Sequence, residues 1–412
     1  MSVRYATAFS GLTRIAPAAT NGFNYAESWK FLAFDSLAFK SYNSSNAQNV
    51  YGKLGIVADT ITSSRNNLRH THANNNSGSE LITITPPLAS TSAMNNTSRG
   101  MIFGFTFSCK LDTSAAVPAL NSAAPQRFGI AVATTDCIKN SSTPMKPNPE
   151  NKCFLVLGDG PADGVTKGWP LTVYGRNSFS RPSTFGDTYE FGSVHHVELV
   201  CEKQANRIRA YVNGTLVQDI TYENAIADVI NGLSIWLWRD NSYSSSYTFH
   251  TDITGIYVLN MDDVHSERLG PSARVVEYSP YKDITTNFTN TNTGQPNYAT
   301  ASQMLDGSSD YSLIGTSDGN TDLYGISPQV RSDAVRIFGA AVKFRGADIS
   351  GGSSELGGVI GNGEKVNEGA RYKVTSNAGT YVSDASVNPI TGKLVTVADI
   401  PNIGLGVRGY KR

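Results

Sequence analysis

Charge is scarce in this sequence, and neither sign is in excess. Charged residues make up 17% of the 412 residues, and 34 acidic side chains balance 34 basic ones, so the formal net charge is zero. A protein that holds nucleic acid by its phosphates concentrates Lys and Arg on one surface. The sequence contains no basic stripe of that kind, which argues against nucleic acid as a partner.

Cysteine is scarce as well. The four cysteines form no CxxC or CxH pattern, so a zinc site is not predicted. Cys109 and Cys201 fall on the apolar side of predicted strands, where they would serve as small buried hydrophobic groups. Cys137 and Cys153 could pair, but a chain that folds in a reducing cytoplasm keeps both as thiols.

Long apolar runs are missing too. Residues 1–20 contain no apolar core of the length that a signal peptide needs, and no stretch approaches a membrane span. We therefore expect a chain that is made in a cytoplasm, is not exported by the usual secretion route and has no membrane span.

Apolar residues instead alternate with polar ones in short segments bounded by Gly, Asn, Asp and Pro, which is typical of β-sandwiches and barrels. In residues 101–109 four large apolar groups occupy alternate positions, so this strand needs a buried face. They are Phe103, Phe105, Phe107 and Cys109.

The clearest local pattern lies in residues 195–220. The first strand of this segment has an apolar side and a polar side, the latter formed by His196, Glu198 and Glu202. Asn213–Gly214 follows the second strand, and this pair favours a two-residue turn in which both residues have positive φ. The pattern predicts a β-hairpin.

The domain organisation follows from interruptions of this alternation. Residues 233–238 predict a central strand, and a polar segment with a Gly-Pro pair interrupts the pattern near residues 260–271. Residues 346–363, which are rich in Gly and Ser, predict a flexible excursion. We predict an N-terminal arm over 1–20, a β-sandwich over 21–262, a linker over 263–272 and a second, smaller β-sandwich over 273–412.

Two resemblances to known families add to this interpretation. The segment His196, Val197 and Leu199, followed by residues 211–214, resembles the late-strand motif of laminin G-like, concanavalin A-type sandwiches. This implies an antiparallel, concanavalin A-like jelly roll over residues 21–262. Sandwiches of this type act as lectins, glycanases and adhesion modules, so the motif implies a fold and not an activity.

The second resemblance concerns residues 190–412. Seven short segments of this part of the chain occur in the order that is found in predicted bacteriophage virion proteins. They are residues 256–260, 269–275, 298–302, 321–324, 334–345, 388–392 and 404–407. Those proteins commonly carry a Trp after the Asn-Pro-x-Thr-Gly turn, where this chain has Lys393.

The second resemblance implies a structural component of a bacteriophage virion, made in the bacterial cytoplasm and located in the particle. Other virion proteins would be its partners, and the chain would form a homo-oligomer, such as a trimer. A place at the tail or baseplate would add adhesion to host-surface carbohydrate. A capsid decoration or head-fibre protein is the main alternative.

A glycan-cleaving enzyme is the other alternative. Glycanases on this fold use paired carboxylates in an ExDxxE string, which places a nucleophile and an acid on one strand face. No such string occurs; Glu198 and Glu202 share a strand face but lack the middle acid. We therefore predict no enzymatic activity.

A sugar site needs an exposed aromatic ring beside Asp or Asn acceptors. Four residues near the end of the predicted central strand have that composition, namely Trp236, Trp238, Asp240 and Asn241. Trp169 is a second candidate for stacking on a sugar. A Trp in a strand more often belongs to the core.

Metal binding is considered at two places. Asp159 and Asp163 lie in a Gly-rich segment, which favours either a calcium site or an ordinary Gly-Asp turn. His70 and His72 have a spacing that could hold a metal on one strand face, but no third ligand is nearby. No other cofactor is expected.

Overall fold

The computed structural model describes residues 3–9, 37–43, 54–58, 66–72, 80–86, 99–111, 128–134, 153–159, 171–174, 185–189, 192–223, 233–239, 249–261, 268–302, 311–326, 334 and 336–411. Among these residues, no helix has both the length and the apolar character to cross a membrane.

The described residues form two compact units. The sandwich unit holds the described residues from 37 to 274, and the C-terminal unit holds residues 3–9 together with those from 275 to 411. The division after Arg274 follows closely on the predicted linker. The first strand, β1 (Val3–Thr7), groups with the C-terminal unit, whereas the sequence predicted a separate arm over residues 1–20.

Contacts within the C-terminal unit account for the position of β1. The backbone N–H of Val3 donates to Asp384 Oδ1 at 3.1 Å. Lys343 Nζ donates to Thr7 Oγ1 at 3.2 Å and to Glu277 Oε1 at 2.7 Å. Because the Lys343–Glu277 pair is largely buried, with side chains 13% and 18% exposed, it holds this end of β1 better than a solvated ion pair would.

The strands of the sandwich unit are β2 (Ala38–Asn43), β3 (Leu54–Ala58), β4 (Asn66–His72), β5 (Glu80–Thr85), β6 (Gly100–Leu111), β7 (Phe128–Thr134), β8 (Cys153–Asp159), β9 (Leu171–Tyr174), β10 (Phe185–Tyr189), β11 (Val194–Glu202), β12 (Arg207–Val212), β13 (Thr215–Thr221), β14 (Leu233–Arg239) and β15 (Phe249–Met261). One sheet has the order β13-β12-β11-β6-β15-β4-β3, and the other has the order β10-β9-β8-β7-β14-β5-β2. The pairs within both orders are antiparallel.

The two sheets pack against each other where β8 meets β12 and β13. Phe154 of β8 lies edge-on to Tyr222, with ring centroids 6.4 Å apart. Phe103, Phe105 and Phe107 of β6 are fully buried, in agreement with the alternation of the sequence. The predicted all-β class and the antiparallel sandwich are therefore confirmed.

The predicted hairpin is also confirmed. Val212 pairs with Thr215, which leaves Asn213 and Gly214 as the two turn residues. Their φ angles are 50° and 86°, as a two-residue turn that matches the strand twist requires.

The C-terminal unit contains, besides β1, strands β16 (Pro280–Thr285), β17 (Thr289–Asn290), β18 (Leu313–Ile314), β19 (Thr321–Ile326), β20 (Ala341–Gly346), β21 (Ser354–Gly361), β22 (Val366–Lys373), β23 (Gly379–Asp384) and β24 (Gly404–Lys411). A short helix, α1 (Asn297–Ala301), and a 3-10 helix, Val397–Asn402, complete it. The main sheet has the order β16-β19-β24-β21-β22, and two further pairs are β20 with β23 and β17 with β18.

The core of the C-terminal unit lies between the main sheet and the β20–β23 pair. Phe344 of β20 packs among Tyr372 and Tyr381, with ring centroids 6.3 Å and 5.7 Å from its own. The buried members of this cluster are Val342, Phe344, Ile360, Ala385, Val395 and Ile403. This is the second, smaller β-sandwich that the sequence predicts.

Candidate functional site

The structure places one predicted sugar-binding residue in the core. Trp236 lies in the middle of β14 and is fully buried, with 0% of its surface exposed. Its ring therefore cannot stack on a sugar, which corrects the prediction for this residue. The reason is that β14 is a central strand with β7 and β5 on its two sides.

The other predicted ligand-binding residues lie wholly or partly outside the described residues. Trp238 and Asp159 belong to β14 and β8, but their side chains are not among those described. The remaining four, Trp169, Asp163, Asp240 and Asn241, lie outside the described ranges altogether. Glycan binding at these residues, and calcium binding at Asp159 and Asp163, stay predictions.

The described residues contain no group of three His, Cys, Asp or Glu side chains that could hold a metal ion. His70 is fully buried in β4. Cys109 and Cys201 are buried free thiols, and burial raises the pKa of each to about 12. Thiols with pKa values this high are inert at neutral pH, as expected for cysteines that fill space in a core.

The polar side of β11 carries a buried network that the sequence did not predict. Glu198 is 1% exposed. Its Oε1 accepts hydrogen bonds from the hydroxyl of Tyr257 at 2.9 Å and from the backbone N–H of Leu269 at 2.7 Å. Its Oε2 accepts from the N–H of Gly270 at 3.1 Å. Three protein donors thus replace the water that this carboxylate would otherwise bind.

His196 extends the network by one hydrogen bond. Its Nε2 lies 3.1 Å from the hydroxyl oxygen of Tyr257, and the two rings are stacked at 22°. Because the single hydroxyl proton of Tyr257 is donated to Glu198, the oxygen can only accept from His196. The neutral imidazole therefore carries its proton on Nε2.

Two features of the neighbouring strands accommodate this network: a glycine beside the Tyr257 ring, and a hairpin residue that fixes the backbone of His196. A Cβ on Gly104 of β6 would lie 2.2 Å from Cζ of Tyr257, so only glycine leaves space for the phenol ring. The hairpin residue Asn213 accepts the N–H of His196 on its Oδ1 at 2.9 Å and donates its own N–H to the carbonyl of His196 at 2.8 Å. A glycine in the middle of an apolar strand was the one sequence signal for the network.

The electrostatics of the network favour one protonation state. Burial, followed by the positive charges of Arg274 and Arg268, lowers the pKa of His196 to about 4. Burial, followed by the charge of Glu198, raises the pKa of Tyr257 well above its usual value. At neutral pH the phenol of Tyr257 and the imidazole of His196 are therefore both neutral.

Glu202, the other acid on the polar side of β11, forms an ion pair. Oε1 of Glu202 accepts from Nη2 of Arg209 on the neighbouring strand at 2.9 Å. Glu198 is occupied by its own three donors.

The C-terminal unit contains a comparable buried carboxylate. Asp322 of β19 is 1% exposed. Its Oδ1 accepts the backbone N–H groups of Asn287 and Phe288 at 2.7 Å and 2.8 Å, and its Oδ2 accepts from Asn297 Nδ2 and the Tyr324 hydroxyl, both at 2.7 Å. Asp322 thus joins β19 to the segment before β17 and to α1.

No protein-family model and no curated protein sequence matches the chain. Solved structures that resemble it include a carbohydrate esterase of the Shiga toxin-encoding bacteriophage phi24B, at 10% identity and a TM-score of 0.33 over 56% of this chain and 92% of that one. A winged bean acidic lectin complexed with methyl-α-D-galactose has 12% identity and a TM-score of 0.31 over 54% and 99%. A sialidase has 14% identity and a TM-score of 0.27 over 56% of this chain and 19% of the sialidase. The sandwich assignment rests on the strand order and register of the chain itself.

The first prediction concerns Glu198. We expect Glu198→Gln to lower the free energy of unfolding by about 2 kcal/mol, because an amide offers one acceptor oxygen where the carboxylate serves three donors. Hydrogen exchange at the amides of Leu269 and Gly270 should accelerate. The exposed Glu223, with the same substitution, is the matched control and should change the free energy by less than about 0.5 kcal/mol. Unchanged exchange at both amides would contradict the network.

The second prediction concerns pH. The unfolded chain protonates His196 near its ordinary pKa of 6.5, whereas the folded chain does so near 4. Between these values the unfolded state binds more protons, so the free energy of unfolding falls as the pH decreases from 6.5 to 4, by roughly 3 kcal/mol from this residue. Urea unfolding at several pH values should show this slope in the wild type and a flatter one in His196→Gln. Equal slopes in the two proteins would show that His196 is not the titrating group.

Proposed function

We propose that the chain is a non-catalytic structural component of a bacteriophage virion. The observation that carries the proposal is the use of its buried acids: Glu198 and Asp322 are both saturated by protein donors that join separate segments of the fold. Carboxylates used in this way stabilise a rigid β framework, and these two are occupied by structural hydrogen bonds rather than held ready for acid–base chemistry.

The order of motifs over residues 190–412 supports the phage assignment. Several of these motifs have structural roles in the C-terminal unit. The segment 321–324 contains Asp322, and the turn at 388–392 is held by Asn388, which is 2% exposed and accepts the N–H of Ile390 at 2.9 Å. A resemblance carried by framework residues favours a shared architecture over a shared active site.

The assignment is tested by purifying phage particles from a lysate of bacteria in which the coding sequence is expressed. Mass spectrometry then shows whether the chain is part of the particles. We expect the chain to co-purify with intact particles through a density gradient. Its copy number, measured on a stained gel, then separates the two locations: about hundreds of copies favour a capsid decoration or head fibre, and about tens or fewer favour the tail or baseplate. A chain found only in the soluble fraction would overturn the proposal.

The non-catalytic part of the proposal is tested separately. The purified chain, incubated with a panel of bacterial surface polysaccharides, should release neither reducing ends nor acetate. Release of either product, abolished by heat treatment of the chain, would favour the enzyme alternative. Host-surface adhesion is an additional proposal, measured by binding of the labelled chain to host cells.

A further inference from the structure

Residues 3–9, which contain β1, form a docked segment of the C-terminal unit. Four of its apolar residues are at most 4% exposed, namely Val3, Tyr5, Ala8 and Phe9. The next described part of the chain begins at Leu37, so the docked segment is connected to the sandwich unit through residues 10–36. A buried strand on a long connection is an element that can dock on more than one copy of a chain.

Thr7 fixes the end of the docked segment through three hydrogen bonds. Its hydroxyl donates to Glu277 Oε1 at 3.4 Å and accepts from Lys343 Nζ at 3.2 Å. The same oxygen accepts the N–H of Phe9 at 3.1 Å, which closes a turn where Phe9 has a φ of 59°. A bulky residue keeps this backbone only where its surroundings hold it, and Phe9 is fully buried. The turn and β1 therefore dock together.

The residues that receive the docked segment lie far along the chain. We call Glu277, Lys343 and Asp384 the docking residues; they bond to Thr7 and Val3 across 270, 336 and 381 positions. A second copy of the chain has the same docking residues. Exchange of the docked segment between two copies therefore re-forms each of these bonds, as in other domain-swapped proteins.

The length of the connection sets the range and the concentration at which a second copy competes. Roughly 27 connecting residues reach at most about 90–100 Å when fully extended, which is enough to cross to an adjacent copy. A flexible tether of such a length gives an effective concentration on the order of millimolar. Copies held side by side are at a similar local concentration, because one molecule in a cube of about 100 Å corresponds to roughly 2 mM.

We propose that the docked segment exchanges between copies of the chain, so that residues 3–9 of one copy bind the docking residues of another. The contacts are those of the single chain, and the path of residues 10–36 is what differs. This inference goes beyond the proposed function, because exchange needs neighbouring copies and does not need a phage particle.

The test traps the exchange between two differently substituted full-length chains. Val3→Cys on one chain and Asp384→Cys on the other place thiols at the contact in which the Val3 N–H lies 3.1 Å from Asp384 Oδ1. The chains are mixed in urea, refolded together at about 1 µM or about 100 µM, and oxidised. Mass spectrometry should identify a link between positions 3 and 384, and its yield should rise roughly tenfold or more between these concentrations, by mass action.

Glu364→Cys is the matched control for Asp384→Cys. It places a thiol at an exposed position of the same unit, so its yield with Val3→Cys measures links that form by collision. The wild type provides a second measurement that depends on no substitution. Refolded at the higher concentration, it should contain a dimer on size-exclusion chromatography, and an excess of a peptide of residues 1–9 should suppress that dimer by occupying the docking residues.

The two measurements decide the inference together. Either a concentration-dependent link between positions 3 and 384 or a dimer that the peptide suppresses supports exchange. The inference is overturned if the yield with Asp384→Cys stays at the level of Glu364→Cys and the wild type forms no dimer that the peptide suppresses. Neither result depends on whether the chain is found in particles.

Discussion

Replacing Asp322 by Ala should lower the free energy of unfolding of the C-terminal unit by about 4 kcal/mol. The substitution leaves two backbone N–H groups, one amide and one phenol without the acceptor that they share. Each buried donor without a partner costs about 1–3 kcal/mol, and neighbouring losses are only partly additive because the segment relaxes. Few single substitutions have so large an effect.

Thermal unfolding followed by circular dichroism measures the effect, and hydrogen exchange at Asn287 and Phe288 localises it. Asp322→Asn keeps the shape and should cost roughly half as much, because its amide oxygen still accepts hydrogen bonds whereas its NH₂ group opposes a donor. Glu364→Ala, at an exposed position in the same unit, is the control for loss of one negative charge. If Asp322→Ala and Glu364→Ala had equal stability, the role of Asp322 would be refuted.

Replacing Trp236 by Ala should lower the free energy of unfolding of the sandwich unit by about 3–5 kcal/mol. The ring is fully buried in the central strand of its sheet. Its removal leaves a cavity that neighbouring side chains fill only in part. Trp236→Phe should cost less, because it keeps most of the apolar contact and removes an Nε1–H that has no hydrogen-bond partner.

The same variants separate a core role from a sugar-stacking role. Urea unfolding gives the free energy, and binding of the labelled chain to host cells gives adhesion. If Trp236 is a core residue, Trp236→Ala should lose much of the free energy of unfolding. Trp236→Phe should then bind host cells as strongly, per folded molecule, as the wild type does. Loss of adhesion with unchanged stability would restore the sugar-binding interpretation of this residue.

Local pattern was enough to predict part of the fold. The alternation in β6 and the Asn213–Gly214 turn depend on interactions within a few residues, and both are found as predicted. The second β domain followed from the same reasoning, although its Gly-rich segment 346–363 was predicted to be a flexible excursion. In the structure this segment contains β21. A Cβ on Gly358 would lie 2.6 Å from Cβ of Ser383, so a larger residue at this position would clash. Its glycines permit close packing of strands.

The buried network was beyond such reasoning. The alternation in β11 correctly placed His196 and Glu198 on one side of the strand, but it could not show what covers that side. The covering groups, Tyr257 and the backbone of Leu269 and Gly270, are about 60–70 residues away in the sequence.

The position of β1 has a consequence for how the chain is made. Its Val3 bonds to Asp384, 381 residues further along the chain. During synthesis, β1 leaves the ribosome long before the strands that it joins, and closing so large a loop is slow. Val3, Tyr5 and Phe9 are all buried in the folded protein, and they cannot reach their final packing before residues 341–384 have been made. The C-terminal unit therefore cannot be complete before β23 has been synthesised, and in the meantime its first strand offers an apolar surface to chaperones or to a neighbouring nascent copy.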